Sequence, residues 1–193
     1  AKAARGVRIL RQNPEEMIFS FIISQNNMIP RIKAIIERTA QTLGEKKSFM
    51  GEEFFSFPKA EVLAKQSADF YYKSGYGYRA DYIPSAAKSV LTDEFNISEQ
   101  GLTTAELRKR LMKIKGIGPK VADCVALFGY HRADSFPVDT WIEKLYREDF
   151  KGTLKDRKKI TDFFLNEFGE YSGYIQQYIF YYKRTLENRA EKK

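Results

Sequence analysis

Lys120 and Asp139 are the side chains whose type and placement suit bond-breaking chemistry best. Lys120 directly follows Pro119, and a proline at the first position of a helix makes the lysine the second. There the positive end of the helix dipole disfavours an ammonium ion and lowers its pKa from a reference of about 10.4. An amine that is neutral near physiological pH is a nucleophile able to form a Schiff base. Asp139, 19 residues further on, precedes Thr140-Trp141-Ile142-Glu143 and is placed to cap a helix. Backbone N–H groups hold a capping carboxylate ionised, and such a fixed anion can assist deprotonation or stabilise developing positive charge. Spacing by itself leaves Lys120 open to a plainer role as a phosphate-contacting lysine, and Asp139 to capping alone.

The lysine follows a glycine turn. Leu111-Met112-Lys113-Ile114-Lys115-Gly116-Ile117-Gly118-Pro119-Lys120 reads as the end of one helix, a Gly-Ile-Gly turn and the start of another. Two glycines permit positive φ and leave backbone N–H groups uncovered. The following helix adds free N–H groups and its dipole end. Together they form an anion cradle suited to a nucleic-acid phosphate. Glycines between helices also serve as an ordinary cap and turn. The flanking charge favours the cradle, because Arg108 to Lys159 holds 14 Lys and Arg against 7 Asp and Glu.

Composition narrows the class. The 193 residues carry 33 basic against 25 acidic side chains, a net charge of +8 that favours a polyanionic partner. Hydrophobic residues at 43% and aromatics at 15% support a packed core and exclude wholesale disorder. One cysteine excludes a disulfide framework, a cysteine-ligated iron–sulfur cluster and a multi-thiolate zinc site; the single His131 argues against a histidine-based metal site. With no apolar run of membrane-spanning length and no signal-peptide pattern, the chain reads as soluble and intracellular, with a monomer as the default.

The elements that must position these groups are helical. Asn13-Pro14-Glu15-Glu16 reads as a helix start, and Met17 to Ile23 is apolar almost all round, which predicts a buried central helix. Ser24-Gln25-Asn26-Asn27 breaks it with polar side chains. Pro30 then opens a helix with Ile29, Ile32, Ile36, Ala40 and Leu43 on one face, closed by Gly44. Further helices are expected over 59–65, 79–91, 104–113, 121–128, 140–146, 158–168 and 171–189, with 188–193 frayed. Period-two alternation is absent, so no substantial sheet is expected and the class is all-α.

In order and spacing these motifs resemble the helix–hairpin–helix DNA glycosylase superfamily, and within it the 8-oxoguanine DNA glycosylases. The resemblance is carried by Val7-Arg8-Ile9-Leu10-Arg11-Gln12-Asn13-Pro14, Ser24-Gln25-Asn26-Asn27, Gly77-Tyr78-Arg79-Ala80, Gly116 to Cys124, Pro137-Val138-Asp139 and Gly173-Tyr174-Ile175-Gln176. It implies one helical catalytic domain over residues 1–193, with two lobes, a cleft between them and the helix–hairpin–helix at about 105–128. Members of this branch usually carry a β-rich N-terminal domain, and by the resemblance the chain, opening Ala1-Lys2-Ala3, is expected to start after that domain would end and so to lack it. That domain contributes a backbone contact that helps distinguish 8-oxoguanine from guanine.

The resemblance implies base-excision repair of double-stranded DNA, with 8-oxoguanine opposite cytosine removed from a flipped nucleotide. Lys120 would attack C1′ and permit β-elimination, with Asp139 assisting. Cys124, Phe128, Gln176 and Phe180 would form the base pocket. Asn26 would fill the vacated space, Arg31 and Arg79 would contact the orphaned cytosine, and Tyr78 would wedge beside it. Gly116, Gly118, Val121 and Trp141 would lie along the DNA. No cofactor is implied, although main-chain carbonyls of Met112, Ile114 and Ile117 would hold a structural Na+ or K+. Trp141 departs from the histidine of human-type enzymes, and Phe128 from a methionine. Two rivals remain: a glycosylase for other oxidised or alkylated bases, and a non-catalytic DNA-binding module.

Overall fold

The computed structural model describes residues 6–92 and 101–190, the side chains of 186–190 excepted. Helix α1 (Pro14–Ser24) starts as its sequence dictates: the Asn13 side chain accepts the Glu16 N–H at 3.1 Å, and Pro14 takes the first turn. Its residues Met17, Ile18, Phe19, Ile22 and Ile23 are all buried, so α1 is the expected central helix. Burying each such side chain contributes about 1.5–3 kcal/mol.

Helix α2 (Ile29–Leu43) ends at Gly44 as expected, but its apolar stripe is rotated. Ile35, Thr39 and Ala40 are buried, Ile32, Ile36 and Leu43 pack at the edge, and Ile29 is exposed. Thr39 can sit inside because its hydroxyl donates to Ile35 O at 2.7 Å and also meets the Tyr76 hydroxyl.

A hairpin of β1 (Lys46–Phe49) and β2 (Glu52–Phe55) follows, antiparallel, with Lys46 opposite Phe55. All eight of its residues are exposed, so no burial pattern could impose period-two alternation on the sequence. Its turn places Met50 and Gly51 both at positive φ, as a tight hairpin requires.

Short helices α3 (Ala60–Ala64) and α4 (Ala68–Lys73), a 3₁₀ turn over Gly77–Asp81 and α5 (Tyr82–Val90) complete this side. Helix α4 was not anticipated; Ser67 caps it by accepting the Phe70 N–H. The helix expected over 79–91 is split between the 3₁₀ turn and α5. Then come α6 (Thr104–Leu111), opened by a Thr103–Glu106 capping box, and α7 (Pro119–Phe128). The remaining helices are α8 (Thr140–Glu148), α9 (Arg157–Phe168) and, after a 3₁₀ turn at Gly169–Tyr171, α10 (Ser172–Ala190). The backbone stays helical to Ala190; the rest of the end expected to fray lies outside the described residues.

Among the described residues there are two cores. The larger surrounds α1 and draws on α2 to α7; the smaller is aromatic and joins Phe136 and Val138 to α8, α9 and Phe180 of α10. Phe136 and Phe164 stack at its centre, 4.4 Å between ring centroids.

A buried carboxylate ties the two cores together. Asp123 of α7 pairs with Arg108 of α6 (Nε to Oδ1 2.5 Å, Nη2 to Oδ2 3.2 Å). The Ser135 hydroxyl donates to the Asp123 carbonyl at 3.0 Å. This holds the segment leading to Asp139 against the helix that carries Lys120. Burial pushes the Asp123 carboxyl up to about 7 despite the guanidinium beside it.

Only one of the two hairpin glycines needs its conformational freedom. Gly116 has φ +94°, and a Cβ there would lie 2.9 Å from the Tyr82 ring. Gly118 is extended (φ −92°, ψ 179°) and caps α7 through its backbone, with open space where its side chain would be. Of the two glycines that permit positive φ, Gly116 alone adopts it. Gly116→Ala should therefore cost about 1–3 kcal/mol of stability, combining backbone strain with the clash. Gly118→Ala should cost under about 1 kcal/mol, the loss of a favourable cap residue. Urea denaturation distinguishes the two.

Asp123 predicts a pH dependence. Between its ordinary pKa and about 7, the folded chain keeps Asp123 protonated while the unfolded chain ionises it. Its contribution to stability falls as pH rises through that window and levels off above it. In urea titrations, Asp123→Asn should gain stability relative to the parent between about pH 4 and about pH 7 and hold that advantage above it.

Candidate active site and nucleic-acid interface

A cavity of about 160 Å³ opens where α7, the start of α8 and α10 converge. Lys120, Cys124 and Phe128, four apart along α7, present one face to it. Asp139 enters from the head of α8, and Gln176 and Phe180 from α10. All six residues expected at the catalytic centre and base pocket thus line a single cavity.

Asp139 is the N-cap of α8: its Oδ1 accepts the N–H groups of Trp141 at 3.0 Å and Ile142 at 2.9 Å. Both bonds fall on one oxygen, and the second takes no part in the cap. Burial pushes the Cys124 thiol up to about 11, against the opposing charge and hydrogen bond of Lys120, so the sulfur is a neutral wall rather than a nucleophile. Gln176 is 3% exposed; its Nε2 donates to Pro137 O at 3.1 Å, and its Oε1 accepts from Gln177 Nε2 at 2.6 Å. Helix α10 reaches this position because Gly173 allows close approach. A Cβ there would lie 2.4 Å from Leu127 Cδ1, and the Gly173 N–H donates to Ala133 O.

Three lining residues, Phe21, Pro137 and Gln177, were not assigned to the site. Phe21 stacks on Phe128, 5.4 Å between centroids, and the Lys120 amine lies 5.6 Å from its ring. Its helix is apolar almost all round, so periodicity could not single it out.

Below the cavity, Ala122 makes the first intrahelical bond of α7, to Gly118 O at 2.9 Å. The amides of Lys120 and Val121 precede that bond and, beside exposed Gly118, suit an anion. The Val121 side chain is buried in the core, so only its N–H could meet DNA. Trp141 is half-buried at the start of α8.

Asn26 is exposed and left-handed (φ +43°), just beyond α1. Extended Gln25 (φ −60°, ψ 129°) followed by left-handed Asn26 matches the first three torsions of a type II turn, whose third residue is glycine or asparagine by preference. Arg79 is not on a solvated surface: it is 2% exposed, and its guanidinium donates to Gln25 O, Asn26 O and Tyr76 O. Contact with an unpaired base would require some of those bonds to open. Tyr78 is half-exposed, 4.4 Å from that guanidinium, and its hydroxyl reaches Gln25 O. Arg31 is exposed and donates to Gly75 O at 3.0 Å. The structure thus gathers Asn26, Tyr78 and Arg79 around one turn.

Among the described residues no group of three or more His, Cys, Asp or Glu could hold a metal ion, and no helix is long and apolar enough to cross a membrane.

No family model matches the chain. A probable N-glycosylase/DNA lyase of Methanothermobacter thermautotrophicus is 31% identical over 94% of this chain and 65% of its own length. Two solved structures each superpose with a TM-score of 0.90, covering 96% of this chain and 66% of theirs. One is MBOgg1 with a low-affinity DNA ligand, 40% identical. The other is the 8-oxoguanine glycosylase/lyase of Clostridium acetobutylicum with double-stranded DNA containing cytosine opposite 8-oxoguanine, 36% identical. The chain thus spans slightly less than two thirds of the length of these relatives. Over nearly its whole length the chain is thus similar in sequence and in fold to N-glycosylase/DNA lyases, and its fold is that of the helix–hairpin–helix DNA glycosylases.

Proposed function

We propose that residues 1–193 form the helical catalytic unit of a bifunctional DNA glycosylase/lyase that excises 8-oxoguanine opposite cytosine inside the cell. The observation that carries this reading is one cavity shared by an amine, a capping carboxylate and an anchored amide. A non-catalytic DNA-binding module would use the hairpin but would have no use for that trio.

Duplex DNA seats a phosphate on the Gly118 turn and the free amides of Lys120 and Val121. Flipping brings the damaged nucleotide to the cavity, and the Asn26 turn occupies the gap with Tyr78 beside it. Phe180 and Phe128 supply aromatic walls, Cys124 a polarisable one, and Gln176 reads the base edge from an amide braced on Pro137. Arg31 faces the unpaired cytosine, Arg79 braces the turn from beneath and reaches that base only by releasing a carbonyl, and Trp141 lies by the backbone. The Lys120 nitrogen bonds to C1′ as the glycosidic bond breaks and the base leaves with the electron pair. Asp139 takes the amine's proton and offsets the positive charge developing on the sugar. Ring opening gives a Schiff base, and loss of a C2′ proton expels the 3′ phosphate, breaking the C3′–O bond. No cofactor enters these steps. Carbonyls of Met112, Ile114 and Ile117 would hold a monovalent cation that stiffens the hairpin; the Ile114 carbonyl already accepts the Ile117 N–H at 3.0 Å and keeps one lone pair.

Borohydride trapping tests the chemistry. The intact chain should form a covalent adduct with an 8-oxoguanine·cytosine duplex, and Lys120→Gln should abolish it while retaining duplex binding. Binding by the intact chain with no adduct overturns the reading.

Asp139→Asn keeps an oxygen for the α8 cap, so it should hold stability while slowing excision at least about a hundredfold, the low end for a general base. Asp139→Ala should slow excision similarly and also lose about 1 kcal/mol of stability with the cap. Single-turnover kinetics and urea denaturation separate the two effects.

A further inference from the structure

We propose that Gln25 is a positioning residue that couples the phosphate-binding hairpin to the turn carrying Asn26. This rests on the function proposed above. Two residues far apart in sequence are joined here: the Gln25 Nε2 donates to Gly116 O at 2.8 Å and also reaches Ile22 O at 3.3 Å. Meanwhile the Gln25 main-chain carbonyl is gripped by Arg79 Nε at 3.0 Å, by Arg79 Nη2, and by the Tyr78 hydroxyl at 3.3 Å.

The contacts close into a circuit. Tyr82 lies against the bare Cα side of Gly116 and meets Tyr78 edge-on, with ring centroids 5.9 Å apart. Gln25, Gly116, Tyr82 and Tyr78 therefore hold one another in sequence, with Arg79 beneath the turn.

The grip on the carbonyl selects the turn. In a type II turn the central carbonyl lies on the opposite face from its place in type I, and only type II needs positive φ at the third residue. Arg79 and Tyr78 hold that carbonyl, so they hold Asn26 left-handed. The Gln25 side chain then references the same residue to Gly116, two positions before the glycine that receives the phosphate. A hairpin seated on DNA thereby fixes where Asn26 stands. Glutamine suits the task because it combines a donor with the length to reach across.

Gln25→Glu keeps the size but turns the donor into an acceptor facing a carbonyl; Gln25→Met keeps the length with no donor and serves if the glutamate variant fails to fold. Excision of 8-oxoguanine, which requires flipping and gap filling, should fall about tenfold or more. Borohydride trapping at a preformed abasic site, which has no base to displace, should stay within about twofold. Equal losses on both substrates, or none on either, overturn the proposal.

A second readout needs no bond cleavage. With a duplex holding a tetrahydrofuran site opposite cytosine, amide exchange should slow at both 112–118 and 24–28 in the intact chain. In the variants it should slow only at 112–118, and slowing at both segments overturns the coupling. A chain that binds this duplex but traps nothing would sink the glycosylase reading and leave the coupling to be decided by exchange.

Discussion

The rotational setting of α7 against α1 is the constraint on which the site depends. Every residue from Val121 to Leu127 is buried, so the helix has no free face to turn toward solvent. A helix advances 100° per residue, and a slip of one position would drive Lys120 from the cavity and expose core side chains. The packed sides of α7 therefore aim the remaining stripe, Lys120, Cys124 and Phe128. Helix α1 completes the setting from below, because Phe21 stacks on Phe128 and lies under the amine.

The carboxylate that shares the cavity with Lys120 is held equally firmly, by different means. Asp139 takes its place from a helix end, two N–H groups fixing one oxygen, while Asp123 and Ser135 hold the preceding segment to α7. Gln176 is braced on Pro137 in that same segment, so Asp139 and Gln176 share one support. Burying Asp123 as an ion is costly, and its raised pKa is the physical sign of that cost. The clamp trades stability near neutral pH for registry between the two cores.

What could be read from sequence follows from how local each cause is. The caps at Asn13 and Asp139, Pro119 as a helix start, and the i, i+4 stripe of α7 depend on a few neighbouring residues, so they were visible. The cavity trio was also visible, but its naming leaned on the family resemblance; spacing alone left Lys120 open to a plain phosphate contact. The placements of Phe21, Asp123 and the buried Arg79 are not legible in sequence because they depend on partners far along the chain. A buried guanidinium satisfied by carbonyls looks, in sequence, like any surface arginine. The strand pair at 46–55 left no trace because its faces are not distinguished by burial, and the short α4 offers too few residues for a period to show.

The hairpin stands between the cavity that holds Lys120 and the turn that carries Asn26. On its exit side, Gly118 and Pro119 lead into the helix that carries Lys120 one residue later. On its inner side, Gly116 meets Tyr82 and receives the Gln25 amide, and through them the Asn26 turn. The helix of Lys120 and the Asn26 turn are both referenced to one seven-residue loop over 112–118. Gly116 is the residue that makes this possible: any side chain there would separate Tyr82 from the loop and lengthen the reach from Gln25. A glycine that sequence reading assigns to phosphate binding thus acts in the folded chain as the joint between the Asn26 turn and the helix of Lys120.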